Sequence, residues 1–162
     1  MRTRLTSFLT LTALAFASFG TVASIAKAQT YRVTQTMPDV YVVMFRADWC
    51  APCKIVEPRL SDALHSLQDP RIEYLNIDIS GGNGSWNANA VFDRGIVDQY
   101  NRWMGVTGFA AIIDADTKRT LGCINMTYDT AAMTTHIRNL QNQAQRNQQS
   151  FDLTCPEPNN PV

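Results

Sequence analysis

Trp49-Cys50-Ala51-Pro52-Cys53-Lys54 sets two thiols three residues apart, where an apolar run from Val40 to Phe45 gives way to a helically periodic stretch. Cysteines so spaced and so placed suit thiol-disulfide exchange. If Cys50 stands at a helix N-terminus, the unpaired backbone N–H groups and the positive end of the helix dipole stabilise its thiolate, which is the nucleophile. A second sulfur must resolve the mixed disulfide, and Cys53 lies one helical turn on. On this reading Cys50 is an exposed attacking sulfur and Cys53 resolves. Pro52 fits the first turn, because the N–H it lacks would have had no partner there and its φ is already near helical. The same pair read plainly is a static disulfide.

Two further cysteines complete the set: Cys123 in an apolar, strand-like run and Cys155 in a tail rich in Pro and Asn. Four cysteines allow three pairings. With Cys50 and Cys53 as the local pair, Cys123 and Cys155 are expected to form a structural disulfide. It would tether the tail 148–162, which has little to bury, and restrict the unfolded chain by roughly 3 kcal/mol. A four-cysteine zinc site is the rival, but the second half lacks a paired C-x-x-C, so no metal is expected.

An oxidising compartment, which such pairing needs, is what the N-terminus predicts. Arg2 and Arg4 precede an apolar run from Leu5 to about Ile25, and Ala26-Lys27-Ala28 matches a small-residue cleavage pattern. Residues 1–28 therefore read as a signal peptide, with Gln29 the first mature residue. An uncleaved anchor is the alternative, which the Thr and Ser residues of the run disfavour. After cleavage no stable membrane insertion is expected. The whole chain has 14 basic and 14 acidic residues; Arg2, Arg4 and Lys27 belong to the leader, leaving 11 against 14 and a net charge of −3. No basic cluster suits nucleic acid or an anionic membrane, and both drop out as partners.

Strands and helices alternate along the remainder. Tyr31 to Val33 is a candidate edge strand and Val40 to Phe45 a buried one. Cys50 to about Gln68 reads as a helix with Ile55, Val56, Leu60, Ala63, Leu64 and Leu67 inward and a kink at Pro58. Arg71 to Ile79 alternates as a strand. The stretch 80–94, with its Gly-Gly-Asn-Gly-Ser run, reads as an inserted loop, and Gly95 to Met104 as a short helix. Phe109–Ile113 and Thr120–Asn125 form a hairpin about the Asp114–Thr117 turn, and a last helix starts at Asp129 with Ala131, Ala132, Ile137 and Leu140 inward. Met37, Met44, Met104 and Met133 are expected to fill gaps in packing. His65 and His136 read as ordinary helix residues.

Motif and element order together resemble the thioredoxin superfamily: a strand, Trp-Cys-x-Pro-Cys-Lys at 49–54, a helix with Pro58, the strand Leu75-Asn76-Ile77-Asp78, a helix, a hairpin and a helix. The resemblance spans about residues 38–142. It implies an α/β, thioredoxin-like fold, a central mixed sheet flanked by helices, over a domain at 29–147. It also implies that Cys50 attacks, Cys53 resolves and Trp49 shields the site. Three departures accompany it. The loop that in this family carries a cis-proline and presents its backbone to the substrate, the substrate-docking loop, is here Thr107-Gly108-Phe109, with Gly108 at the proline position, so a trans peptide is expected. Met44 stands where the family has a buried Asp and Tyr74 where it has a Lys, leaving Glu57 or water to accept the proton from the resolving thiol; exchange should be slower than in a thioredoxin. The third is the added length at 80–94, where Trp86 and Phe92 either cover a partner or pack.

The resemblance implies a thiol-disulfide oxidoreductase in a bacterial periplasm, monomeric and without cofactor. It acts on protein thiols or disulfides, and the Ala-Pro dipeptide favours a reductase fed by a membrane electron-donor protein. The alternatives are a non-catalytic binding or assembly protein that keeps the fold with a structural disulfide, and a disulfide oxidase.

Overall fold

A computed structural model describes residues 36–81, 85–148 and 155–158. The expected signal peptide and the Tyr31–Val33 strand lie outside the described residues, as does most of the tail. Within them run strand β1 (Val40–Arg46), helix α1 (Cys53–Leu67), strand β2 (Ile72–Asp78), helices α2 (Ser85–Arg94) and α3 (Val97–Arg102), strands β3 (Phe109–Asp114) and β4 (Thr120–Asn125), and helix α4 (Thr130–Gln145). The sheet order is β2-β1-β3-β4. β1 pairs parallel with β2 and antiparallel with β3, and β3 pairs antiparallel with β4. This is the mixed sheet between helices that the resemblance implied, and the fold is thioredoxin-like.

β1 reads as an unbroken apolar run because both of its faces are covered. Val40, Val42 and Met44 face a core built with Val56, Leu60 and Ala63 of α1 and with Met133, Ile137 and Leu140 of α4. Tyr41, Val43 and Phe45 face a second core with Leu75, Ile77, Val91, Ile96 and Trp103. The central strand is thus fixed from two sides, and its last residues carry the site.

Local chemistry sets the ends. Asp129 caps α4, its side chain accepting from the Ala132 N–H at 2.7 Å. Asp114 holds the hairpin turn by accepting from the N–H groups of Asp116 and Thr117 at 2.9 and 3.0 Å. α1 runs through Pro58 to Leu67 and ends at Gln68 in the left-handed region.

Four expectations change. Much of the stretch taken as an inserted loop is helix α2, because the turn-forming glycines end at Gly84 and the residues behind them support a helix. The next helix, expected over Gly95–Met104, is only Val97–Arg102, since Gly95 at φ 67° belongs to the break before it. Ile55 on α1, and Ala131 and Ala132 on α4, are exposed, because those helices turn Val56 and Met133 to the core instead. Met37 and Met104 are exposed rather than packed, while Met44 and Met133 fill the interior. Among the described residues no helix is long and apolar enough to cross a membrane.

Candidate active site

The end of β1 turns through Ala47–Cys50, where the Cys50 N–H donates to the Ala47 carbonyl at 3.1 Å, and leads directly into α1. Cys50 and Cys53 are joined as a disulfide. Pro52, at φ −60° and ψ −31°, is already helical and offers no side-chain cap; its carbonyl accepts from Ile55 and Val56 at 3.0 Å. The cap is sulfur instead. The Cys53 N–H donates to Cys50 Sγ at 3.1 Å. An orphan donor of the first turn is therefore aimed at the atom that carries negative charge once the pair is reduced, and such a bond strengthens when its acceptor is ionised. With no acidic residue in the first turn, nothing there opposes that charge.

Exposure departs from expectation. Cys50 is 3 % and Cys53 2 % exposed. Gly108, in the loop Thr107-Gly108-Phe109, lies against Cys50. Gly108 donates its N–H to the Phe45 carbonyl at 2.9 Å, and the same carbonyl oxygen lies 3.9 Å from Cys53 Sγ. A Cβ on Gly108 would stand 2.8 Å from Pro52 Cβ and 3.4 Å from Cys50 Sγ, and its φ is 90°. Both space and backbone demand glycine here. A proline, held near φ −65°, could not adopt this conformation. No cis peptide occurs among the described residues. Trp49 is 65 % exposed, so in this oxidised state it is a surface group next to the pair rather than its shield.

Beneath the loop, the rings of Phe45 and Phe109 stack at 4.9 Å, and Trp103 meets them edge-on at 5.7 and 5.4 Å. Beside it opens a groove of about 310 Å³ lined by Pro52, Val106, Thr107, Gly108, Phe109, Asn125, Met126, Thr127 and Pro156. All three residues of the Thr107–Phe109 loop line it, together with Pro52 of the motif. Cys123, wholly buried in β4, is joined to Cys155, and Trp103 donates its Nε1–H to the Pro156 carbonyl at 3.0 Å. The tail thus reaches the groove.

Met44 is wholly buried in the core that also holds both motif cysteines, so this interior carries no carboxylate at that position. Tyr74 is half-exposed on β2, and burial, followed by the nearby Glu57 carboxylate, raises its pKa above the usual phenol range. Glu57 is engaged: its Oε1 accepts from Arg46 Nε at 2.7 Å. Arg46 also binds Asp48 at 2.8 Å and Asp78. These partners, Asp48 first and Glu57 next, raise the Arg46 pKa further, so the guanidinium stays charged. Asp78 is held below the usual carboxylate range, chiefly by the Ser80 hydroxyl and also by Arg46. This network and the tail at the groove were not anticipated from sequence. Arg46 at the end of an apolar strand, with acids at 48, 57 and 78, was the available signal for the first; Cys155 tied the tail down but did not say where.

Among the described residues no cluster of His, Cys, Asp or Glu could hold a metal ion. His136 packs its ring 5.2 Å from that of Tyr128, and His65 is exposed on α1.

The Thioredoxin family model matches residues 22–91, which include the cysteine motif and stop short of the Thr107–Phe109 loop. Thioredoxin-T of Drosophila melanogaster is 42% identical over 38 residues, 24% of either chain, so the match spans about a quarter of that relative's length. Among solved structures, oxidised mitochondrial thioredoxin 3 of Saccharomyces cerevisiae is 18% identical, with 63% of this chain and 79% of that chain covered at a TM-score of 0.39. Oxidised thioredoxin O2 of Arabidopsis thaliana is likewise 18% identical, with 65% and 76% covered at 0.38.

Proposed function

We propose that this chain is a member of the thioredoxin superfamily and an exported thiol-disulfide oxidoreductase working as a reductase through Cys50 and Cys53. The observation that supports this reading best is the bond from the Cys53 N–H to Cys50 Sγ, which prepares the first turn of α1 to hold a thiolate.

The reaction starts from the reduced pair. The Cys50 thiolate attacks one sulfur of a client disulfide, forming a Cys50–client bond and releasing the other client sulfur as a thiolate, which takes up a proton. Cys53, losing its proton, then attacks Cys50 Sγ; the Cys50–Cys53 bond forms and the second client sulfur leaves as a thiol. The client gains two electrons and the pair loses two. A dithiol donor restores the pair by the reverse exchange. With Met44 in place of a buried carboxylate and Glu57 held by Arg46, water takes the Cys53 proton, and resolution is the slow step.

The clients are envelope proteins with disulfides, the donor a membrane protein, and the compartment a bacterial periplasm. The leader at 1–28 and the Ala-Pro dipeptide support this direction and place. No cofactor and no nucleic acid enter the reaction. One observation favours a second reading, a non-catalytic binding protein: both sulfurs are covered in the oxidised state. The Cys50→Ser variant separates the two. It abolishes reduction of a protein disulfide if the exchange reading holds; a wild-type pair that exchanges with no thiol while the protein stays folded leaves the binding reading. A disulfide oxidase is separated from a reductase by the potential of the pair.

A further inference from the structure

We propose that Pro156, a residue of the C-terminal tail, is a specificity-determining wall of the groove beside Cys50, a role that rests on the exchange activity proposed above. The groove lined by Pro52 and by Gly108, on which a Cβ would stand 3.4 Å from Cys50 Sγ, also contains Pro156. Anything lying in it toward the disulfide therefore meets the tail as well.

The wall is fixed rather than draped. Cys155 is bonded to Cys123, which is wholly buried in β4. The next residue, Pro156, accepts from Trp103 Nε1 at 3.0 Å, and Trp103 is packed against Phe45 and Phe109 under the docking loop. A proline so held has lost its freedom before a client arrives, and the client does not bear the cost of ordering it. The Cys123–Cys155 bond thus acts on the site through Pro156, although neither sulfur belongs to it.

The lining also states what fits. Pro156 has no N–H to pair with a client backbone. Asn125 Oδ1 already accepts from the N–H and hydroxyl of Thr127 at 2.9 and 2.7 Å. Much of the lining is apolar, from Pro52, Val106, Met126 and Pro156, beside Thr107, Asn125 and Thr127. The matching occupant is an extended peptide segment with apolar side chains beside its disulfide cysteine. Glutathione disulfide, short and polar, gains little from the same wall.

The test compares the full chain with Pro156→Gly and with the double variant Cys123→Ala/Cys155→Ala. The substrates are glutathione disulfide and a peptide disulfide flanked by Leu and Val. The expected result is a KM for the peptide raised about fivefold in Pro156→Gly, with the ratio of peptide to glutathione turnover falling by the same factor, and falling at least as far in the double variant. The proposal is overturned if that ratio stays within about twofold of wild type in Pro156→Gly. It is equally overturned if both substrates lose turnover in parallel, which would mark the tail as a support of the fold. A wild-type chain that exchanges with neither substrate rejects the exchange reading itself, and this wall with it.

Discussion

Cys50–Cys53 and Cys123–Cys155 are two disulfides of one small domain, and burial hardly tells them apart: Cys50, Cys53 and Cys123 are all interior. What differs is the setting. Cys50 receives a hydrogen bond from the first turn of a helix and lies against Gly108, which lines an open groove. Cys123 sits in the middle of a strand and ties down a residue 32 positions away. On the exchange reading, reactivity follows from the donors and space around a sulfur more than from the exposure of the oxidised bond. The long-range link works through the entropy of the unfolded chain, the short one through what its reduced form can hold.

The sharpest way to break this contrast is to remove one sulfur of the short pair. Cys50→Ser is expected to lower protein-disulfide reduction by at least about a thousandfold, because a hydroxyl supplies no nucleophile at neutral pH, while costing less stability than loss of the long pair, since the loop it opens is shorter. Turnover and denaturant unfolding on the same sample check both halves. Removing the long pair should do the reverse. Cys123→Ala/Cys155→Ala is expected to lower the unfolding free energy by about 3 kcal/mol, read from urea titration, while Cys50 and Cys53 still exchange with dithiothreitol.

Gly108 probes the contact that only the short pair has. Gly108→Ala places a methyl 2.8 Å from Pro52 Cβ at a φ of 90°, so a loss of about 1–3 kcal/mol is expected, together with slower exchange as the loop shifts over Cys50. Equal exchange rates for the variant and wild type would show that the loop does not govern access. The smallest effect is expected at the Arg46 network. Asp78 has its pKa lowered by Ser80, so its stabilisation is present above the ordinary carboxylate pKa near ~4 and is lost as pH falls through the lower folded value. Ser80→Ala raises that folded value. The acid-unfolding midpoint, followed by circular dichroism, is expected to move slightly upward, and the small loss of stability is present in full at pH 7 and vanishes below the folded pKa.

Much of this was legible in the sequence, and the reasons are local. The apolar run at Val40–Phe45 is of the kind a strand covered on both faces shows, and Asp129 and Asp114 mark a helix start and a turn by chemistry that needs no tertiary context. The motif's spacing located the candidate site. Illegible were features made by elements far apart in the chain. Cys50 lies against Gly108, 58 positions on, and nothing near Cys50 encodes that. Arg46 finds Glu57 and Asp78 only because α1 and β2 bring them to the end of β1. Helix α2 was hidden by the glycines just before it, whose turn chemistry was extended too far along the chain.

The most direct measurement is differential alkylation with mass spectrometry across a series of thiol redox buffers, following all four cysteines of the folded protein. The account predicts that Cys50 and Cys53 become reduced together near about −270 mV, while Cys123 and Cys155 stay oxidised until below about −300 mV. A Cys50–Cys53 bond that resists every buffer in the folded protein, or a Cys123–Cys155 bond that opens first, would contradict it.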